Sequence, residues 1–446
     1  MFFQFQKLIK IKNVKKLLFI IFMFPTIFFA QEILWDNAID LSVSGSDATN
    51  VHIVTSSSGQ YVHTVWERSN IIQSRSSSDS GQTYGVVKDV SPGGKFTTEP
   101  QITTDSSGQH VYIIWRNLSD NTIQVASSSD FGATFPIASI KTLESGIFIN
   151  PLIVTDSTGQ FVHTTWQDLS GNVSSISSSD FGKTFSFAQN VSFTGGDSIE
   201  EVKIDTNSTG QYVYIGWSNV SLNKMQINVS SDFGVTWSAP TVRTIPGSLK
   251  SSAGFDLRID NTGQHGYIVW DDSGLNINIS RSSDFGNSWT TTKIISVLSV
   301  TRPSLDISAD GKYVHVVWVN SGTTEIYVRS SLDFGANFSS IKTLSIILPV
   351  NDQPRIAVND IGNIVQILWY GSSGGIGFIF SRTSFDFGNT FSPAQTITSI
   401  SGGFSEIATN RSGSLSFSIW PTDQGIAQTS AGTLIPDNNI KEIIRP

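Results

Sequence analysis

The chain of 446 residues has no cysteine. That excludes disulfides, thiolate metal sites and a cysteine nucleophile together. Charge is also scarce: Asp, Glu, Lys and Arg make up 14% of residues, against roughly 25% in an average soluble domain. Basic residues are outnumbered, 28 to 36, giving a formal net charge of −8. Phosphate contacts need clustered Lys and Arg, so nucleic acid is not an expected partner. Long helices and coiled coils draw on Ala, Glu, Lys and Leu; here Ser, Thr, Gly and Asn fill their place, with 29 Phe and 11 Trp. This composition predicts an all-β protein rich in turns.

Only the first thirty residues carry a long apolar run. Lys7, Lys10, Lys12, Lys15 and Lys16 precede Leu17–Phe29, and Ala30 supplies a small residue for cleavage. A basic start, a short apolar stretch and a small residue read as a secretory signal over 1–30. The alternative is an uncleaved anchor, although the run is shorter than the roughly 20 residues that span a bilayer. Loss of those five lysines, with no acid among them, would take the net charge from −8 to −13. The expected location is secreted, periplasmic or cell-surface, with no membrane span after cleavage.

What is present is repetition. A glycine turn leading into a strand that ends in Trp occurs eight times, at Trp66, Trp115, Trp166, Trp217, Trp270, Trp318, Trp369 and Trp420, about 50 residues apart. Between them stand seven Ser-x-Asp-x-Gly-x-Thr-aromatic boxes or close variants, at Asp79, Asp130, Asp180, Asp232, Asp284, Asp333 and Asp386. Each unit reads as four short strands, for example A at Pro151–Thr155, C at Thr122–Ser127 and D at Ile137–Leu143. Four-stranded units of this length repeated around an axis define a β-propeller blade. The predicted fold is therefore one propeller over 31–436, followed by a tail at 437–446. It has eight four-stranded blades, or seven with one unit outside the ring. The last unit lacks a box and has Ser430-Ala431-Gly432-Thr433 there, so the strand at Leu34–Leu41 is expected to close it.

The boxes resemble the bacterial neuraminidase (BNR), or Asp-box, repeat of sialidases, other glycoside hydrolases and sortilin-type receptors. The resemblance spans about residues 31–430. It implies that the seven box aspartates are structural and lie in the turn between the third and fourth strands, on the face away from any active site. An aspartate there can accept backbone N–H bonds and close its turn.

Alignment of the eight strands A on the turn glycine separates two faces. Ile53, Ile102, Ile153, Ile204, Leu257, Leu305, Ile356 and Ile407 should pack between blades. His52, Gln101, Leu152, Lys203, Asp256, Ser304, Arg355 and Glu406 face the other way. Two residues nearer the top stand Asn50, Glu99, Asn150, Glu201, Gly254, Arg302, Gln353 and Phe404. This mostly polar face changes from blade to blade while its neighbours repeat, and it is expected to line the central channel. Candidate binding residues are Asn50, His52, Glu99, Gln101, Glu201, Lys203, Asp256, Arg258, Arg302 and Arg355. His63, His163 and His315 share one slot with Tyr112, Tyr214, Tyr267, Gln366 and Phe417, and are expected to be structural. Arg75, Arg329 and Arg382 share another and read as strand-C surface residues. No cofactor and no metal site is expected.

The resemblance also implies a chemistry: arginines gripping a carboxylate, a Tyr nucleophile and acidic partners. Arg302, Arg355, Glu99, Glu201 and Tyr370, placed just past strand B at the top, are its candidates. The pattern departs from that family. The Phe-Arg-Ile-Pro element is missing, and the nearest match is Pro354-Arg355-Ile356-Ala357. Sialidases of this kind usually have six blades, and a wide eight-bladed ring should spread these residues apart. The preferred reading is an exported module that binds a glycan or a surface protein at the channel mouth. A sialidase-like hydrolase and a purely structural surface protein are the alternatives.

Overall fold

In the computed structural model the described residues are 31–435, except 44–46, 194–197, 238–242, 246–253, 274–275, 297–299, 321, 346–353, 374–375, 401–404 and 423. The expected signal and tail lie outside them, as do most of the D–A links at 244–254 and 346–353. No helix among them is long and apolar enough to cross a membrane.

Eight antiparallel sheets stand around one axis. Seven have four strands, and the eighth has five. In the eighth, Glu32–Trp35 and Ile39–Asp40 both pair with Ala427–Ile435, putting Glu32 opposite Ile435 and Ile39 opposite Thr429. Where other blades turn at a box, this strand runs straight on through Ser430–Thr433 and finds its partner in the N-terminal segment. The eight-blade count holds.

Strand B is the buried spine of each blade. Its Val/Ile run alternates toward the two neighbouring sheets, and its terminal Trp is at most 3% exposed in all eight. Four of these indoles donate to a strand-C glutamine: Trp66 to Gln73, Trp115 to Gln124, Trp217 to Gln226 and Trp420 to Gln428, at 3.0–3.2 Å. Burial of the ring is then compatible with its polar N–H. The inter-blade clusters recur from sheet to sheet, as in Val62, Trp66, Ile53 and Val51 against Phe417 and Ile419.

The outer strand departs from expectation. Segment 137–139 is a single 3-10 turn, and the strand proper is Lys141–Ser145. In blades 1, 3 and 6 strand D is two residues long. In blade 1 the chain leaves the ladder after the box aromatic, Tyr84, which packs in the core shared with the eighth blade. Arg75 replaces the missing bonds, donating to the carbonyls of Tyr84 (3.0 Å), Gly85 (2.6 Å), Asp40 (3.0 Å) and Leu41 (3.0 Å). Arg329 reaches the Phe338 and Ser339 carbonyls in the same way. Arg75 and Arg329 are carbonyl clamps, not surface residues; Arg382, in the same slot, is likewise half-buried.

At the bottom, each A–B turn glycine lies at φ between +72° and +86°. At Gly108 a Cβ would lie 2.7 Å from the Tyr61 Cβ of the preceding blade, so both conformation and space require glycine. Two residues before each glycine, the backbone amide donates to the equivalent carbonyl of the next blade. The sequence is Ser57 to Ser106, Ser157, Ser208, Asn261, Ala309, Asp360, Arg411 and back to Ser57, each bond 2.9–3.1 Å. Eight peptide bonds thus form a closed hydrogen-bonded ring around the lower end of the channel.

Candidate functional site at the channel mouth

Each box aspartate is occupied by its own turn. Asp130 accepts the Ser128 hydroxyl (2.7 Å), the Thr134 amide (2.9 Å) and the Thr134 hydroxyl (2.6 Å), while the Gly132 amide donates to Ser128. The same set recurs at the other six, with Ser288 replacing Thr at Asp284 and Asn337 at Asp333. Desolvation pushes the Asp180 carboxyl up, and the Thr184 and Ser178 bonds bring it further down, leaving it below the usual carboxylate range. The next residue is a Phe near φ +60° in six boxes. It stacks on an aromatic of the preceding blade: Phe131 on Tyr61 at 4.2 Å, Phe233 on Phe161 at 4.3 Å and Phe334 on His265 at 4.7 Å. The Phe131 amide bonds the Gln109 carbonyl of its own A–B turn, so boxes and glycine turns share the bottom face.

The histidine slot is also structural. His63 and His163 are fully buried, bonding a box-side serine through Nδ1 and the next blade's turn carbonyl through Nε2 (Gly108 at 2.9 Å, Gly210 at 3.0 Å). Tyr112, Tyr214 and Tyr267 make the same reach with a hydroxyl, to Gly159, Gly263 and Gly311. Burial drives His63 and His163 down to about 4 and His315 to about 3.

The opposite face holds a cavity of about 670 Å³. Its walls are Asn50, His52, Glu99, Gln101, Asn150, Pro151, Leu152, Glu200, Glu201, Val202, Lys203, Gly254 and Arg302. A bulge at the top of strand A shapes its rim: pairing slips between Thr49 and His52, Thr98 and Gln101, Ile149 and Leu152, Ile199 and Val202, and Thr301 and Ser304. Within four of these bulges Asn50, Glu99, Asn150 and Arg302 take φ of 49–55°. Such a conformation is uncommon for Glu and Arg, and a bulge re-aims a side chain.

Of the ten expected binding residues, seven line this cavity: Asn50, His52, Glu99, Gln101, Glu201, Lys203 and Arg302. Glu99, Glu201 and Arg302 thus share one cavity, contrary to the expectation that ring width would separate them. Arg355 lies on the far side, bonding the Ser405 carbonyl at 3.4 Å beside Glu406. Asp256 and Arg258 are not among the cavity's walls; Arg258 touches Asp256 at 2.9 Å and Asp306 at 3.5 Å. Low solvation there raises Asp205 and Asp306 to about 6, against the pull of Arg258. Tyr370 is not past strand B but within it (Val365–Ser373), packed against Leu368, Ile379 and Trp420 between two blades. Gln353 and Phe404 lie outside the described residues.

The channel acids have a second role that sequence reading missed. Each accepts a strand-A amide from the next blade: Glu99 from Asn150 (3.0 Å), Glu201 from Phe255 (3.2 Å), Asp205 from Ile259 (2.9 Å), Asp256 from Leu305 (3.1 Å) and Asp306 from Val358 (2.7 Å). They staple blades together while their other oxygen holds a group of their own blade or a neighbouring arginine: Arg116 at Glu99, Lys203 at Glu201, the Thr206 amide at Asp205 and Arg258 at Asp256 and Asp306. Glu99 comes from blade 2, Glu201 and Asp205 from blade 4, Asp256 from blade 5 and Asp306 from blade 6, so the available signal was the clustering of acids on the variable face.

The fold and the channel define the class: an eight-bladed β-propeller. No protein-family model and no curated protein matches the chain. Among solved structures it is similar to the Dos1 propeller (TM-score 0.54, 10% identity, covering 90% of this chain and 95% of that one). It is also similar to a family 25 polysaccharide lyase, an ulvan lyase bound to -[GlcA(1-4)Rha3S]- (0.51, 9%, 89% and 95%). A prolyl endopeptidase aligns at 0.52 and 9% identity over 85% of this chain, which spans 55% of that longer one. At such identities the likeness is one of fold.

Proposed function

We propose that this is an exported Asp-box propeller that binds a glycan at the channel mouth and does not cleave it. The observation that carries the reading is the cavity itself: a wall of polar side chains, four of its residues set on bulged, positive-φ backbone, with Leu152 among them as an apolar patch. Concave sites with an apolar surface and a few fixed polar groups are where small ligands bind. Strained backbone retained at one place in a repeat is a reason to look for function there. The lyase with the same fold, bound to a uronate-containing chain, makes a saccharide ligand a reasonable first probe.

Hydrolysis is disfavoured by the placement of the candidate nucleophile. Tyr370 packs between blades on Trp420, and Glu99 is tied to Arg116 at 2.5 Å and to the Asn150 amide. The test is a glycan array run beside a fluorogenic sialoside. Binding without turnover, weakened about threefold or more by Gln101→Ala, supports the proposal. Turnover that disappears in Tyr370→Phe would replace it with the hydrolase reading. Silence on the array from folded protein would reject it.

A further inference from the structure

We infer that the ligand is an uncharged, hydroxyl-rich oligosaccharide, not an acidic one; this rests on the reading of the cavity as a glycan site. The cations around the cavity are already matched by the protein's own carboxylates. Lys203 Nζ lies 2.9 Å from Glu201 and Arg116 2.5 Å from Glu99; His52 spans Glu406 at 2.9 Å and the Gln101 amide at 3.0 Å. Below, Arg258 is held by Asp256 and Asp306. Arg302, on the rim, is not free either.

These pairs are locked. The second oxygen of Glu99 holds the Asn150 amide at 3.0 Å, and that of Glu201 holds the Phe255 amide at 3.2 Å. Neither carboxylate can swing aside to release its cation without undoing a bond between blades. An incoming carboxylate or sulfate would therefore meet Glu99, Glu200 and Glu201, with Lys203 and Arg116 already engaged by two of them. Like charges brought together at an interface act as a device against the wrong partner.

The uncharged groups suit a neutral sugar. Asn50, Gln101 and Asn150 come from three successive blades along one wall. The Asn50 amide already donates to Glu67 and the Gln101 amide to His52, each at 3.0 Å; the second N–H and the carbonyl oxygen of each still form the donor–acceptor pair that neighbouring hydroxyls satisfy. Leu152, in the same wall, offers an apolar surface to the C–H face of a pyranose. Gln101 is half-buried, while Asn50 and Asn150 stand exposed at the rim, so selection among ligands falls mainly to Gln101.

The experiment measures binding of the protein to matched oligosaccharide pairs: a neutral backbone and the same backbone with a sialic acid, a uronate or a sulfate. The neutral member is expected to bind more tightly by about tenfold or more. Asn150→Gly, which keeps the positive φ, and Gln101→Ala should each weaken it about three- to tenfold with little change in melting temperature. Glu201→Gln, which frees Lys203, should narrow the gap between neutral and acidic members. Tighter binding of the acidic members, lost in Lys203→Ala, would overturn the inference and leave the glycan site standing. Binding of neither class by folded protein would overturn both.

Discussion

The Arg411 amide donates to the Ser57 carbonyl at 3.0 Å, joining the last blade to the first. That single bond completes the peptide ring at the bottom of the channel, while the Glu32–Trp35 pairing with Ala427–Ile435 completes the outer closure. The two closures lie at opposite radii of the same pair of blades.

The outer closure is expected to be costly to disturb. Ile33 is 1% exposed within the closing strand. Ile33→Ala should remove about 2–5 kcal/mol of stability, read as a lower urea midpoint with unchanged slope. It should also promote self-association, since a loosened strand bares an edge. A shift below about 0.5 kcal/mol would mean that the strand is not integral to the eighth sheet.

Acid should weaken the protein through its buried histidines. His63 and His163 titrate near 4 when folded, and His315 near 3, against 6.5 for a free imidazole. The unfolded chain therefore binds more protons below pH 6.5, and stability falls as pH drops from 6.5 toward 4, each histidine adding up to about 1.4 kcal/mol per pH unit. His163→Tyr should flatten this limb, because Tyr112 fills the same slot and bonds its turn carbonyl at 2.6 Å. Melting temperatures of both proteins from pH 7 to 4 decide it.

The box aspartates should matter to stability and not to binding. Asp180→Ala removes the acceptor for the Thr184 amide (2.9 Å), the Thr184 hydroxyl (2.6 Å) and the Ser178 hydroxyl (2.9 Å). The expected loss is about 1–2 kcal/mol, as for other exposed caps. Glycan affinity should be unchanged, since the box lies on the opposite face from the cavity. A binding defect in a fully folded variant would contradict that assignment.

Arg258→Met should steepen the pH response of the channel. The guanidinium balances Asp256 and Asp306, and it opposes the desolvation that already raises Asp205 and Asp306 to about 6. Without it these carboxyls are raised further above their unfolded values, so the folded variant binds more protons and gains stability as pH falls from 8 toward 5. The melting-temperature gap to wild type should thus be larger at pH 8 than at pH 6. An equal gap at both would show that the cluster carries no electrostatic strain.

The repeat made the fold legible because its signals are side chains at fixed offsets. The turn glycines, the eight Trp residues and the box motif each report a local need for space, burial or turn chemistry. The closing strand was legible because the unit ending at Trp420 lacks a box. The peptide ring was not: Ser57, Ala309 and Arg411 share nothing but their place two residues before a glycine, and the bond uses only backbone. Nor were the rim bulges, since Glu99 and Arg302 are not turn residues and strict alternation gave no hint of a slipped register. The variable face did mark the cavity, although charge on that face conflated two tasks. Glu99 and Glu201 were read for chemistry, and each also holds the next blade.

The peptide circle has a mechanical consequence. A linear stack of repeats can fray from either terminus, one unit at a time. A circle has no outermost unit, and releasing any one blade severs its bonds on both sides at once. Protection of these amides against solvent should therefore vanish together around the whole ring, whichever blade gives way first.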